Sequence, residues 1–221
     1  MSASDADRLS CAASAGGATI VSTGGPSLET TARQDTDVAL AARARSGDVG
    51  AFGELVKKHE RAVCGVVCRM IENRDDVDDT VQDIFVTAFR SLASFKGEAA
   101  FSTWLYRIAV NTSIKQMKKT KIRQSASIDD PLSGLCEILV AGNGDAPEDA
   151  AERRERGEAV RRAVLTLSDK HRAVVVLHYF QDLNCDEIAK VTGCSVGTVW
   201  SRLHYACKKL QGQLDWLTAD S

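Results

Sequence analysis

Between residues 95 and 123 the sequence sets aromatic rings, Phe95, Trp104 and Tyr106, among the cations Lys96, Arg107, Lys115, Lys118, Lys119, Lys121 and Arg123. Stacking surface beside positive charge is what single-stranded nucleic acid requires. The same cations also suit a solvated helix end, where they complement the C-terminal dipole, and Trp104 shares a stripe with Leu105 and Ile108 that fits a plain core. A second concentration begins at Asn184, which with Glu187 three residues later forms a capping-box pattern. Gly193 then supplies a turn and Ser195 caps a further helix, so Cys185 to Leu203 reads as helix-turn-helix, a pattern it shares with an ordinary helical hairpin. From Cys194 to Leu214 there is no acidic residue, while Arg202, Lys208 and Lys209 are basic, the sign needed by a helix that enters a major groove.

The remaining candidates carry weaker chemistry. Glu72, Asp75, Asp76, Asp78, Asp79 and Asp83 are opposed only by Arg74, but lack the glycine and terminal glutamate of a calcium loop, so they read as a partner surface or a solvated face. Cys64 and Cys68 stand four apart on one helix, as two zinc ligands do and as small core residues also do. No Ser/His/Asp set, phosphate-binding loop or dinucleotide fingerprint is present. No catalytic residue, metal ligand or cofactor is therefore assigned.

These residues need elements to hold them. A chain of 221 residues, 44% hydrophobic, 26% charged and only 5% aromatic, has the composition of a helical globular protein with a sizeable core. Its seven cysteines form no Cys-x-x-Cys pair, which points to a reducing cytoplasm, and no apolar run is long enough for membrane insertion. Residues 1–34, rich in Ser, Ala, Gly and Thr, read as a disordered extension. Thr36 then caps a short helix ending at Gly47, and Asp48 caps a second that carries Phe52, Leu55, Val56, His59, Ala62, Val66, Val67 and Met70 on one stripe. A third helix from about Asp75 to Ala93 buries Val77, Val81, Ile84, Phe85, Ala88, Phe89 and Leu92. A fourth, from about Ala99 to Lys119, puts Phe101, Trp104, Leu105, Ile108 and Ala109 on one face, and Tyr106, Arg107, Asn111, Lys115 and Lys118 on another. From Ile128 to Glu152 there are seven acidic residues, no basic ones and two prolines, a linker composition with a transient turn near Leu135 to Val140. Helices follow at about 156–167 and Arg172 to Phe180. The expected architecture is all-α: a disordered extension (1–34), a helical domain (35–122), an acidic linker (123–155) and a helix-turn-helix domain (156–217).

At this point the sequence resembles the extracytoplasmic-function (ECF) sigma factors, compact bacterial transcription initiation factors. The resemblance covers about residues 35–217. It rests on Gly-Asp-Val-Gly-Ala-Phe at 47–52, Asp-Thr-Val-Gln-Asp-Ile-Phe at 79–85, Phe-Ser-Thr-Trp-Leu-Tyr-Arg-Ile-Ala-Val-Asn at 101–111 and Gly-Thr-Val-Trp-Ser-Arg-Leu at 197–203. It implies that the first domain docks on core RNA polymerase through Asp79, Gln82, Asp83 and Phe85, which meet the clamp helices of the large catalytic subunit. It also implies capture of a flipped base of the minus-ten non-template strand by Phe95, Lys96, Trp104, Tyr106, Arg107, Asn111 and Lys115, with Lys118 and Lys119 beyond them. The last helix would read duplex minus-thirty-five DNA with Ser195, Thr198, Trp200, Ser201, Arg202, His204, Tyr205 and Lys208. Further implied are an anti-sigma factor as partner, a linker that follows the polymerase's RNA-exit channel, no cofactor, and action at the cytoplasmic nucleoid.

Near-neutral charge fits this reading, because the polymerase supplies much of the affinity for DNA. The sequence departs from the family at Trp200 and Tyr205, where relatives often carry Lys or Arg. Two rival classes remain: a stand-alone helix-turn-helix regulator, which leaves the segments at 79–85 and 101–111 without a role, and a metal-dependent nuclease built on the acidic cluster.

Overall fold

Gly47, held at a φ of +105°, makes the first sharp turn, and Asp48 opens the next helix by accepting a hydrogen bond from the Ala51 N–H at 3.0 Å. The left-handed backbone there explains the glycine, and the cap satisfies a donor that the helix start leaves open. The computed structural model describes residues 28–126 and 147–218, with side chains at 36–122 and 155–214. The extension up to residue 27 with Cys11, the turn expected at Leu135 to Val140, and Cys136 lie outside the described residues. Among the described residues there are α-helices and no strand: α1 Leu28–Arg45, α2 Val49–Met70, α3 Asp76–Ser91, α4 Phe101–Ala126, α5 Pro147–Leu165, α6 Asp169–Tyr179, α7 Cys185–Thr192 and α8 Val196–Thr218. A 3-10 turn, Leu92–Ser94, follows α3.

Several boundaries differ from the sequence reading. Thr36 lies inside α1 rather than capping it, because α1 begins at Leu28. Helix α4 continues to Ala126 and α5 begins at Pro147, so the domain limits drawn at 122 and 156 fall within helices. Proline at the first helical position costs no hydrogen bond and carries a helix-ready φ, which makes Pro147 a start rather than part of a linker. Phe89, placed on the buried stripe of α3, is instead half exposed and meets the Phe52 ring edge-on at 5.0 Å.

Helices α2, α3 and α4 pack mutually, and α5 to α8 form a second group. The two groups share one hydrophobic core running from Leu40 to Ala206, and their described residues belong to one compact unit. Contacts of α2 with α5 and α6, and of α4 with α7, join them. Behind the helix-turn-helix sit Ile188, Val191, Val199, Leu203 and Ala206, all buried, so the angle between α7 and α8 is set by packing. The capping box is present as read: Asn184 Oδ1 accepts from the Glu187 N–H at 2.9 Å, and Glu187 Oε2 accepts from the Asn184 N–H at 3.0 Å. Gly193 ends α7 in the left-handed region at φ +66°.

Candidate nucleic-acid interface

The 3.6-residue period of α4 places Arg107, Asn111, Lys115, Lys118 and Lys119 outward, and all five are exposed. Lys96, in the turn before α4, is exposed as well. The result is a basic stripe several turns long with a single amide, Asn111, inside it. Beside it the rings form a cluster: Phe95 and Phe101 meet edge-on at 5.4 Å, and Trp104 lies 5.5 Å from Phe95 and 5.4 Å from Phe101. Phe95 is buried and Trp104 half-buried, so the indole is the ring of this cluster nearest to solvent. Stacking surface and cations thus adjoin, with the aromatic part tied into the core.

Tyr106 departs from the face to which the sequence reading assigned it. It is 7% exposed, and its hydroxyl donates to Gln181 Oε1 at 2.7 Å. Gln181 belongs to the α6–α7 loop, where Asp182 adopts a positive φ of 52°. In the same loop Phe180 lies under the Arg69 guanidinium, 4.1 Å from the ring centre, and Leu183 is buried. Burial, with the charge of Asp182 second, pushes the Tyr106 phenol up to about 12, so it stays protonated as a donor. One residue back from Arg107 along the helix is a rotation of about 100°, enough to turn Tyr106 from the stripe toward the second helical group.

Two arginines of that second group close over the end of α2. Arg161 donates to the carbonyls of Cys68 at 2.9 Å, Ile71 at 3.2 Å and Glu72 at 3.1 Å. Arg172, buried, donates to Met70 O at 2.5 Å, to Leu167 O at 3.0 Å and to Leu165 O, and touches Met117 Sδ at 3.1 Å. Such carbonyls are left without intrahelical partners at a helix C-terminus, where cations also suit the dipole. Arg74 pairs with Glu158 across the same seam. Sequence reasoning gave Arg161, Arg172 and Gln181 no role. The apolar run from Ala173 to Leu177 beside Arg172 is the signal that could have marked this cation for burial.

A different polar cluster fixes α1. Asp37, buried, bonds His59 Nε2 at 2.9 Å and Lys58 Nζ at 2.5 Å, and the His59 ring lies 5.4 Å from Phe101. Burial raises the Asp37 carboxyl, but the hydrogen bonds and charges of His59 and Lys58 outweigh it and hold the group below its usual value. This explains why a histidine shares the apolar stripe of α2.

On α3, Asp78, Asp79, Gln82 and Asp83 are exposed and Phe85 is half-buried. Val86 and Phe89 lie exposed on the same helix, an apolar surface that the stripe pattern missed. On α8, Trp200, Ser201, His204, Tyr205 and Lys208 are exposed, Thr198 and Arg202 half-buried, and Ser195 caps the helix by accepting from the Thr198 N–H at 3.2 Å. Among the described residues no group of three or more His, Cys, Asp or Glu is placed to hold a metal ion, and no helix is long and apolar enough to cross a membrane. Cys68 packs in the core of α2.

Comparison with known proteins covers the same regions. The Sigma-70 region 2 family matches residues 55–122, and the Sigma-70 region 4 family matches residues 157–210. The chain is 35% identical to the ECF RNA polymerase sigma-E factor of Haemophilus influenzae over 187 residues, 83% of this chain and 97% of that one. It is 32% identical to the ECF RNA polymerase sigma factor SigW of Bacillus subtilis over 174 residues, 77% and 92% of the two chains. Of solved structures, CnrH in complex with the cytosolic domain of CnrY is similar at a TM-score of 0.60 and 30% identity, covering 85% of this chain and 100% of that one. The sigma factor RpoE in complex with the anti-sigma factor NepR from Bartonella quintana shares the fold at a TM-score of 0.60 and 22% identity, covering 74% and 96%.

Proposed function

Since the chain belongs to the ECF sigma factors, transcription initiation factors that bind RNA polymerase and promoter DNA, we propose a division of that work among its surfaces. The exposed acidic face of α3, Asp79, Gln82 and Asp83 with Phe85 behind it, docks on the clamp helices of the polymerase's large catalytic subunit. The stripe of Lys96, Arg107, Asn111, Lys115, Lys118 and Lys119 holds the non-template strand of the minus-ten element. Phe95, Trp104 and Tyr106 form the wall against which a flipped base stacks. Helix α8 reads the minus-thirty-five duplex.

The single observation that carries this reading is the basic stripe of α4 lying against the Phe95, Phe101 and Trp104 cluster. Unstacking a base costs a few kcal/mol, which ring surface and an amide such as Asn111 can return. Tyr106 joins that work only after its hydroxyl leaves Gln181, so the α6–α7 loop must move off α4 before the promoter opens. Bond formation in RNA belongs to the polymerase, and no catalytic residue or cofactor is assigned to this chain. The site of action in this reading is the nucleoid. A masking partner is part of the same proposal: the relative CnrH is bound to the cytosolic domain of CnrY, and a protein of the anti-sigma class is the partner proposed here.

The test is to mix the purified chain with sigma-free core polymerase and genomic DNA and to map the 5′ ends of RNA. Discrete starts that need the chain support the reading, and a joint Asp79→Lys and Asp83→Lys variant with intact helical circular dichroism should abolish co-purification with the polymerase. Asn111→Ala should lower permanganate reactivity of the opened strand more than polymerase binding. Binding of duplex promoter DNA by the chain alone, without any polymerase-dependent start, would instead support a stand-alone regulator.

A further inference from the structure

The outward surface of α8 has an unusual chemistry for a helix that reads bases. With Val199, Leu203 and Ala206 buried behind it, the face turned away from the core carries Gly197, Trp200, Ser201, His204, Tyr205 and Lys208. At about 100° per residue, Trp200 and Tyr205 flank this face and Gly197, Ser201 and His204 lie between them. Trp200 is 53% exposed and Tyr205 65% exposed. Gly197 stands in the first turn with nothing near the place a Cβ would occupy, so a base edge can approach the backbone there.

Several polar side chains of this region are engaged locally, while His204 stands exposed with its ring 5.8 Å from that of Tyr205. Ser195 Oγ and Thr198 Oγ1 bond each other at 2.8 Å, and Ser201 Oγ donates to the Gly197 carbonyl at 3.0 Å. Arg202 is half-buried and folds back with Nη1 3.5 Å from Cys194 Sγ, while Lys209 Nζ donates to Thr166 O at 2.6 Å. Reading guanine in the major groove takes an Arg or Lys aimed at N7 and O6, and reading adenine takes an Asn or Gln. The feature that an apolar ring fits is the 5-methyl group of thymine. Lys208, exposed, lies two turns beyond Trp200, about 12 Å along the axis, away from the first turn of the helix.

We propose that Trp200, beside the open first turn at Gly197, reads thymine in the upstream promoter element through its 5-methyl group, so that methyl contacts replace a bidentate guanine contact in this chain. The proposal rests on the reading of α8 as the minus-thirty-five recognition helix. It places Trp200, and not Arg202, as the residue that sets base preference.

The test uses holoenzyme assembled from the full chain and core polymerase, and a promoter library randomised over the upstream element, made once with thymine and once with deoxyuridine. Starts from the thymine library should enrich thymine at one or more fixed positions. Replacing such a thymine with deoxyuridine removes only the methyl and should lower promoter affinity about fourfold per contacted group, the effect of one buried carbon. Trp200→Ala should bind the two bases equally, with its helical circular dichroism unchanged because the ring is exposed. Enrichment of guanine in place of thymine, or equal binding of thymine and deoxyuridine by the unaltered chain, overturns the proposal while leaving sigma activity intact. Absence of any library-dependent start overturns the initiation reading itself, and this proposal with it.

Discussion

Replacing Arg172 by Met keeps an unbranched side chain against Met117 and removes the hydrogen bonds that this residue donates at the seam between the two helical groups. In the structure this guanidinium serves the carbonyls of Met70, Leu165 and Leu167, which belong to the ends of α2 and α5 and to the α5–α6 turn. Its Nε is buried with no partner among the described residues, so the side chain is incompletely satisfied. Burial pulls its pKa down from the ordinary arginine value, with Asp169 and then Glu72 acting in the opposite direction. Hydrogen bonds from a charged donor contribute about 1.5–3 kcal/mol each, so three would give about 4.5–9 kcal/mol. Removal also returns the cost of burying a charge, several kcal/mol. The balance is a loss of about 3 kcal/mol, close to the lower end of what breaking a buried charged contact costs.

Urea denaturation followed by circular dichroism measures this loss as a lower midpoint at unchanged slope. Arg172→Lys, whose single ammonium cannot span carbonyls on both sides of the seam, should regain no more than about a third of the loss. A change within about 0.5 kcal/mol for the methionine variant, the range of an ordinary surface substitution, would refute the reasoning. It would mean that Arg172 spans the seam without holding it.

Three further expectations follow from single contacts. The Tyr106 phenol is raised to about 12 and is neutral at pH 10, so phenolate absorbance at pH 10–11 should rise when Tyr106 is freed by Gln181→Ala with Asp182→Asn; an unchanged titration would refute the loop contact. Because its pKa is raised in the fold, this phenol's contribution is complete below the free tyrosine value and lost as pH climbs through about 12. Asp37 has the opposite sign: its folded pKa is depressed, so its contribution is present above the ordinary aspartate value and lost as pH falls through the lower folded value. Acid unfolding of Asp37→Asn should therefore show a smaller pH slope below about 4, and an identical slope would remove Asp37 from the account. Asn184→Ala breaks the capping box of α7 and should cost about 1 kcal/mol in thermal stability, with upstream DNA recognition weakened in parallel, whereas an unchanged melting temperature would count against the cap.

Much of the local structure was written in single residues. Gly47, Asp48, Asn184, Glu187, Gly193 and Ser195 each occupy the turn or cap their types require, because those preferences act within a few residues and need no tertiary context. The outward stripe from Arg107 to Lys119 was legible for the same reason: helix period fixes which side chains share a face. Periodicity failed at Phe89 and Tyr106. An amphipathic pattern tells that a side chain faces something, but whether that is core, solvent or a neighbouring group depends on where the other helices lie.

The sequence by itself determined an all-α chain, the caps at Asp48, Asn184 and Ser195, its basic and acidic faces and its family. Only the tertiary structure decided that the helix-turn-helix group packs on the first, that Gln181 occupies Tyr106, and that Arg161 and Arg172 close the end of α2. Those contacts join residues 75 to 102 positions apart. Over such separations no local preference operates, and an arginine destined for buried carbonyls looks in the sequence like one destined for solvent.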